Sequence, residues 1–596
     1  MSTSFLGVER SFTGRRWLAR PYDERMALAL AQRFTLPDLI ARSLSARNLD
    51  LETAPAFLEP RLRDLLPDPS LFKDMDKAAD RAVAAVQRGE KIAVFGDYDV
   101  DGGTSTALLA RFFRAVGVEI RPYIPDRMRE GYGPNSAAMQ TLADEGVTLV
   151  ICVDCGTTAH EPLAAARTMG LDVIILDHHT AEPQLPPAYA VVNPNRLDEA
   201  MSGTFGTLAA VGVSYLFVIA LNRALRKAGW YNAAASEAGR AVPEPDLRQW
   251  LDLVALGTVC DVVKLTGLNR AFVAQGLKVM TQRHNAGIAA LATVAGVKGP
   301  MDAFAAGFML GPRVNAGGRV GLADCGARLL ATDDPATAAT LAAQLHQFNA
   351  ERRAIEAQVL IEAEAMMFDT TAPLAFVASE NWHAGVIGIV AARLKEKFQR
   401  PAIVIALDNG IGKGSGRSIG SVDLGAAVIA ARQAGLLLNG GGHKMAAGLT
   451  VAQDAIPALR DFLNDRIGRQ LEAEPLQATL SIDGLASGQA LQADFVEKLA
   501  ALSPFGTGNP EPRYALADCR IVKADIVGEK HVSVIVMQGG LRLRGIAFRA
   551  MDSDLGLALL SQKSRPCHLA GHLRIDEWNG EKRVQFQVED AAEVAG

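Results

Sequence analysis

The segment GDYDVDGG, residues 96–103, places Asp97, Asp99 and Asp101 directly after the apolar run KIAVF. Three carboxylates spaced two residues apart at the end of a strand repel one another, so the arrangement is electrostatically poor unless a cation is present. A dense set of hard oxygen donors suits Mg²⁺, Mn²⁺ or Ca²⁺. The pattern D-x-D-x-D-G also opens an EF-hand loop, which requires Glu at its twelfth position. Counting from Asp97, that position is Leu108, inside an apolar helical pattern, and the EF-hand reading fails.

Other strand-like runs follow: LVICVD, DVIILD and YAVVN, separated by helical stretches such as STALLARFFRAVG and HEPLAAARTMG. Strands alternating with helices predict a parallel sheet covered on both faces. Chemistry in such sheets lies at the carboxyl ends of the strands. Asp154 follows LVICV, and Asp177-His178-His179 follows DVIIL, as that rule demands; Asp261 stands in GTVCDVVKL. Any one of these residues alone reads more simply as a cap, a turn or a satisfied histidine. Their recurrence after successive elements predicts a metal site. Carboxylates with imidazole favour Mn²⁺ or Mg²⁺, and a pair of ions would need bridging carboxylates, with Asp154 and one of Asp97, Asp99 and Asp101 the natural bridges.

Beyond this sheet, DPATAATLAAQLHQFNAERRAIEAQVLIEAEAMMF reads as one long helix. A second α/β unit follows (LAFVAS, GVIGIVAARLKEKF, PAIVIAL), and then short alternating segments from about 475 that suggest a small β-barrel or sandwich. The expected division is a helical segment over 1–75, a catalytic α/β domain over 76–270, a helical connector over 271–370, a second α/β domain over 371–465 and a β domain over 470–596.

Composition removes several classes. The chain of 596 residues is 49% hydrophobic and 21% charged, which excludes wholesale disorder. A net charge of −5 shows no global basic excess, so any nucleic-acid surface must be local. Six cysteines in so long a chain are no disulfide framework, and Cys152 and Cys155, the one CxxC, read as structural thiols. Few cysteines and no apolar leader at the N-terminus predict a cytoplasmic location. The longest apolar run, Leu208–Leu221, falls short of a membrane span. GIGKGSG lacks the Walker spacing, and no G-x-G-x-x-G follows the first strand, so ATP and NAD are not expected.

Taken in order, these motifs resemble the DHH phosphoesterase superfamily, named for the triplet found here at 177–179. Further segments carry the resemblance: LGPRVNAGGRVG (310–321), NWHAGVIGIVAARL (381–394), GSGRS (414–418), NGGGHKMAAG (439–448) and SPFGTGNPEP (503–512). It spans roughly 35–590 and is specific to the single-strand-directed exonuclease branch. It implies a DHH domain joined by a long helix to a DHHA1-like domain, with a C-terminal OB-fold-like barrel.

The resemblance makes Asp99, Asp101, Asp154, His178 and Asp261 metal ligands. Asp97 and His179 stand beside them as ligands, phosphate contacts or, for His179, a proton donor. Arg127 and Tyr132, in PDRMREGYG, would face the nucleic acid. Asp126 stands where the family more often has Asn, and Lys264 where it usually has Pro. Substrate contacts are expected from Arg313, Asn315, Arg319, His383, Arg417, Ser418, Gly441, Gly442 and His443, because close approach to phosphate needs Gly and Arg binds it bidentately. In the barrel, Arg542 and Arg544 alternate and could share one sheet face.

The implied activity is Mn²⁺- or Mg²⁺-dependent hydrolysis of single-stranded DNA from the 5′ end, releasing mononucleotides in recombination and repair. A monomer is expected, working beside a helicase and a single-strand-binding protein. The rival readings are a DHH phosphodiesterase acting on short oligonucleotides or cyclic dinucleotides, and a non-catalytic single-strand-binding module.

Overall fold

The computed structural model describes residues 3–127, 129–231, 242–367, 371–473, 478–561, 565–578 and 581–594. The chain divides into two compact units: Asp68–Asp261 with Gly276–Leu476, and Met1–Pro67 with Val262–Gln275 and Gln477–Gly596.

The first unit opens on a five-stranded parallel sheet. Its strands are β1 (Ile92–Gly96), β2 (Arg121–Tyr123), β3 (Leu149–Val153), β4 (Asp172–Leu176) and β5 (Ala190–Val192), in the order β2-β1-β3-β4-β5. Strands β1 and β3 are buried at every residue. That is why they read as continuous apolar runs rather than alternating ones. Each buried Val or Ile contributes about 1.5–3 kcal/mol. Cys152 and Cys155 are free thiols packed in this core, and burial pushes both thiols up, away from reactivity.

Helix α1 (Val100–Ala115) packs on the sheet. Helices α2 (Ala210–Lys227) and α3 (Leu251–Cys260) pack against α1. A short π-helix, Ala305–Leu310, runs directly into α4 (Gly311–Val320). The predicted long helix is α5 (Pro335–Ala365), of 31 residues, started by the Asp334 side chain accepting from Thr337 N.

The same unit carries a second, mixed sheet of β6 (Ala375–Glu380), β7 (Ala402–Asp408), β8 (Ile411–Arg417), β9 (Asn439–His443) and β10 (Ala446–Ala452), ordered β9-β10-β8-β7-β6. Only β6 and β7 run parallel. Helix α6 (Ile387–Phe398) covers β7 and β8.

The second unit contains a closed five-stranded barrel of β11 (Tyr514–Val527), β12 (His531–Gln538), β13 (Leu541–Ala547), β14 (Pro566–Trp578) and β15 (Glu581–Glu593). Pairing runs β11-β12-β13-β15-β14, and β14 closes back on β11. Closure removes the sheet edges. Arg542 and Arg544 lie on one exposed face of β13, with Leu543 buried between them. Leu30, Ile40, Leu44 and Phe57 from the N-terminal segment belong to the same apolar core as the barrel. No helix among the described residues is long and apolar enough to cross a membrane.

Candidate metal centre and anion cleft

The loop between β1 and α1 is shaped by two glycines. A Cβ on Gly96 would lie 2.1 Å from Thr106 Oγ1, and one on Gly102 would lie 2.5 Å from Asp97 N and O. Only glycine allows strand and helix to meet this closely. Asp99 is the N-cap of α1, and its Oδ1 accepts from Asp101 N (2.9 Å) and Gly102 N (3.0 Å). Asp101 is buried in the first turn of α1. Its Oδ2 accepts from Ala210 N (2.6 Å) and its Oδ1 from Val211 N (2.8 Å), at the start of α2.

Asp154 leaves β3 in the left-handed region, at φ 60°. Strain of this kind persists where the surroundings fix it, often at functional sites. His178 Nε2 lies 3.3 Å from Asp154 Oδ1, and its Nδ1 lies 3.7 Å from Asp261 Oδ2. Asp261 is the C-cap of α3, which approaches α1 closely because a Cβ on Gly257 would meet Thr104 Oγ1 at 2.3 Å.

Three overlapping groups result, each with ligand atoms within 4.8 Å of one another: Asp97–Asp99–Asp154, Asp154–His178–His179 and Asp101–His178–Asp261. Asp154 and His178 are each shared by two of them. Asp97 and His179, whose roles the sequence leaves open, both fall inside the cluster. Burial, then repulsion from Asp99, pushes the Asp97 carboxyl up to about 8, and the same two causes bring Asp261 to about 7. Asp154 and Asp101 are raised as well, by burial and by their acidic neighbours. Asp97 Oδ1 and Asp261 Oδ2 are buried and accept no hydrogen bond. Buried acceptors without donors, in a cluster of mutually repelling acids, fit divalent cations with oxygen and imidazole ligands.

The His pair is held from behind. Asp177 Oδ1 accepts from His178 N (2.7 Å), His179 N (3.2 Å) and His179 Nδ1 (2.7 Å), while its Oδ2 accepts from Thr157 N (3.1 Å). Burial alone would raise this carboxyl, but these bonds and the His charges hold it far below the usual range. Asn193 Nδ2 donates to His179 O (2.9 Å) and Asn195 Nδ2 to His178 O (2.5 Å). Burial lowers His178, helped by its neighbour His179. Burial works the same way on His179 but is outweighed by Asp177, so its imidazole is raised. Tyr132 OH donates to Asp154 O (3.0 Å), and its ring meets His179 edge-on.

A cleft of about 410 Å³ lies in the same unit. Arg127, Arg319, Lys413 and Arg417 line it with Gly441 and its neighbours, and no lining residue is acidic. Burial, then repulsion from Arg127, Arg352 and Arg417, lowers the Arg319 guanidinium to about 10. Clustered, partly buried cations of this kind favour an anion between them. Helix α4 joins cleft to cluster. A Cβ on Gly318 would sit 2.9 Å from Tyr98 O, in the Asp97–Asp99 loop, and Arg319 Nη1 donates to Gly385 O (3.1 Å). Arg127 lies over the Tyr98 ring, 5.0 Å from its centroid.

The other expected substrate contacts sit elsewhere. Arg313 donates to Met309 O (2.5 Å) and His346 Nδ1 (3.2 Å). Neither Arg313 nor half-buried Asn315 lines the cleft. His383 Nδ1 accepts from Gly385 N (3.0 Å), beside the cleft. Ser418 is buried, and its hydroxyl donates to Val422 O (2.9 Å), so it serves a turn. Gly442 has φ 151°, and a Cβ there would lie 2.4 Å from Ala446 O; His443 ends β9, exposed. Sequence reasoning missed Tyr98 and Lys413 as well as the holding role of Asp177, Asn193 and Asn195. The asparagines stand in VVNPN, directly after a strand, and that placement was their signal.

Comparison with known proteins gives a consistent result. Residues 91–258 match the DHH family, N-terminal domain; 371–469 match the DHHA1 domain; 482–590 match the RecJ OB domain. The single-stranded-DNA-specific exonuclease RecJ of Dickeya dadantii is 36% identical over 569 residues, covering 93% of this chain and 96% of its own. That of Bacillus subtilis is 33% identical over 587 residues, covering 97% and 71%. The crystal structure of RecJ from Thermus thermophilus in complex with Mn²⁺ superposes with a TM-score of 0.80 at 30% identity, over 97% of this chain and 79% of that one. A second structure, with Mg²⁺, gives 0.73 at 28% identity.

Proposed function

The chain belongs to the RecJ family of single-stranded-DNA-specific exonucleases, and we propose that it degrades single-stranded DNA from the 5′ end, releasing 5′-mononucleotides in recombination and repair. It is a metal-dependent hydrolase of phosphodiester bonds in single-stranded DNA. The observation that carries the reading is the pairing, along α4, of an acid–imidazole cluster with a cleft lined by cations.

Asp99, Asp101, Asp154, His178 and Asp261 would hold two Mn²⁺ or Mg²⁺ ions, with Asp97 and His179 beside them. Such ions, when bound, polarise phosphoryl oxygens and supply an activated water for in-line displacement. Arg127, Arg319 and Arg417 bind and orient a phosphate. Asp177 fixes His179 through Nδ1 and leaves Nε2 to hold or deliver a proton at the leaving oxygen. No Ser or Cys nucleophile is needed, in keeping with the buried thiols. The reading includes a cytoplasmic setting, supported by six free cysteines. It also includes a monomer acting beside a helicase and a single-strand-binding protein.

The test is degradation of a 3′-labelled single strand with Mn²⁺, comparing wild type with Asp154→Ala. A ladder shortening from the 5′ end is expected, absent in the variant and on a blunt duplex. Cleavage of dinucleotides alone would reject the substrate and keep the metal chemistry.

A further inference from the structure

Asn195 does more than hold the His178 carbonyl. Its Nδ2 donates to His178 O at 2.5 Å and to Gly206 O at 2.8 Å, so one amide ties the histidine loop to the chain that leads into α2. The approach is close: a Cβ on Gly206 would lie 2.6 Å from Asn195 Oδ1. Asn195 is fixed in turn by its own loop. Its backbone N–H donates to Asn193 Oδ1 (2.7 Å). Next to it, buried Arg196 donates to Val191 O (2.7 Å) and pairs with Asp74 and Asp198.

From Gly206 the chain runs as a short strap to Val211, and Leu208, Ala209, Ala210 and Val211 are buried. Two points along the strap meet residues of the acid–imidazole cluster. The Leu208 backbone hydrogen-bonds the His178 imidazole. At the far end, Ala210 N and Val211 N donate to the Asp101 carboxylate. Helix α2 has Ala209 at its N-cap, with no side-chain acceptor, so Asp101 satisfies N–H groups that the helix's own cap cannot. His178 and Asp101, which the strap connects, stand together in one ligand group with Asp261. The group Asp97–Asp99–Asp154 contains neither of them.

We propose that Asn195 is a positioning residue for one of the two metal sites. By fastening the strap to the histidine loop, it sets the separation of Asp101 from His178. It is not itself a ligand; it acts through the two residues that the strap carries. Groups that orient ligands from behind govern metal affinity alongside the ligands themselves. This rests on the reading above, that the cluster holds two divalent ions.

The test is calorimetric titration of the full chain with Mn²⁺. Asn195→Ala should weaken one of two binding steps about 10- to 100-fold and leave the other within about threefold, because only one ligand group holds both Asp101 and His178. Asn195→Leu nearly keeps the volume and donates nothing, so it should lose the same step. Asn285→Ala is the control for general destabilisation. Asn285 is buried, caps a helix through Ile288 N and donates to Leu330 O. Its loss should lower Tm and leave both steps unchanged. Equal weakening of both steps, or two wild-type steps in Asn195→Leu, overturns the proposal. Hydrogen exchange across 206–211 gives a second readout without metal: faster in Asn195→Ala, unchanged in Asn285→Ala. In the wild type, Mn²⁺ should slow that exchange, a comparison that needs no variant to fold, and indifference to Mn²⁺ counts against the strap. If the wild type binds no Mn²⁺, the metal reading fails. The metal-free exchange then decides whether Asn195 fastens the strap, and an unchanged rate in Asn195→Ala overturns it.

Discussion

Asp177 Oδ1 accepts from His179 Nδ1 at 2.7 Å, so the first residue of the DHH triplet orients the third. Asp177→Asn keeps an acceptor but removes the charge that stabilises protonated His179. The His179 pKa is raised in the native chain and should fall towards its ordinary value in the variant. The limb of the pH–rate profile that reports loss of the His179 proton should move to lower pH. Activity should drop about 10- to 100-fold, the usual cost of removing a group that orients a ligand. A variant with lowered activity and an unmoved limb would show that Asp177 serves folding alone.

The metal-free protein should lose stability as pH rises. Asp97 and Asp261 are raised in the folded state, to about 8 and about 7, and Asp101 and Asp154 are raised with them. An acid whose folded pKa lies above its unfolded one favours folding fully below the unfolded pKa and loses that contribution as pH climbs to the folded value. The window therefore runs from about pH 4 to about pH 8. Melting in chelator should show Tm falling across it. Mn²⁺ should restore more stability at pH 8 than at pH 5, about 2.7 kcal/mol when free metal is one hundred times its Kd. A metal-free Tm that is flat across the window would contradict the cluster as drawn.

Asp97, Asp99, Asp101, Asp154 and the histidine pair were legible because they follow buried strands, and a parallel sheet puts such residues at one edge, whereas Asp261 caps helix α3. Asp177 was visible as part of the triplet, but only the folded loop shows it spending one oxygen on three donors. The cleft was half legible. Arg319 and Arg417 stand in Gly-rich motifs and do converge, whereas Arg313, six residues before Arg319 on α4, points away to Met309 O and His346. Motif membership does not say which way a helix turns a side chain, and 3.6 residues per turn separates these two. Nor could chain order disclose that Arg270 meets Phe57 and the 501–504 carbonyls, since such contacts depend on long-range packing.

The cation cleft predicts a salt-dependent step. Arg319→Ala should raise KM for single-stranded DNA by roughly 10-fold or more, as loss of a charge-assisted contact does. The slope of log affinity against log salt should shrink by about 0.7, one phosphate contact on a single strand. Arg319→Lys keeps the charge but loses the fork, and should keep the slope while recovering only part of the affinity. An unchanged slope in Arg319→Ala would remove that side chain from the phosphate path.

Gly102→Ala tests the loop geometry without touching a ligand. The added methyl would lie 2.5 Å from Asp97 N and O and 2.7 Å from its Cα, where backbone must move. Asp97 and Asp99 should shift relative to Asp154. A misplacement of about 1 Å costs on the order of 100-fold in rate. Metal titration followed by Tm should show weaker binding, and the chelator-treated melt should change less than the metal-bound one. Wild-type activity in this variant would mean that the loop yields without disturbing the cluster.

Arg270 explains the SPFGTGNPEP motif, which the phosphoesterase chemistry leaves unused. It is 1% exposed and has its guanidinium 3.7 Å from the Phe57 ring centroid. It donates to five carbonyls: Phe57, Ala501, Leu502, Ser503 and Pro504. Asn509 Nδ2 donates to the carbonyls of Leu502 and Pro504, and Arg47 reaches Asn509 Oδ1 and Pro510 O. The segment is thus a carbonyl basket around a buried cation, and burial, then repulsion from Arg47, lowers that cation to about 10. Arg270→Met keeps volume but leaves carbonyls without donors, each costing about 1–3 kcal/mol where water cannot reach. A loss of at least about 3 kcal/mol is expected in urea denaturation, with faster hydrogen exchange across 500–510. Arg270→Lys, with three donors for five acceptors, should fall between the two. Exchange unchanged in the methionine variant would show that Asn509 and Arg47 suffice to hold the loop.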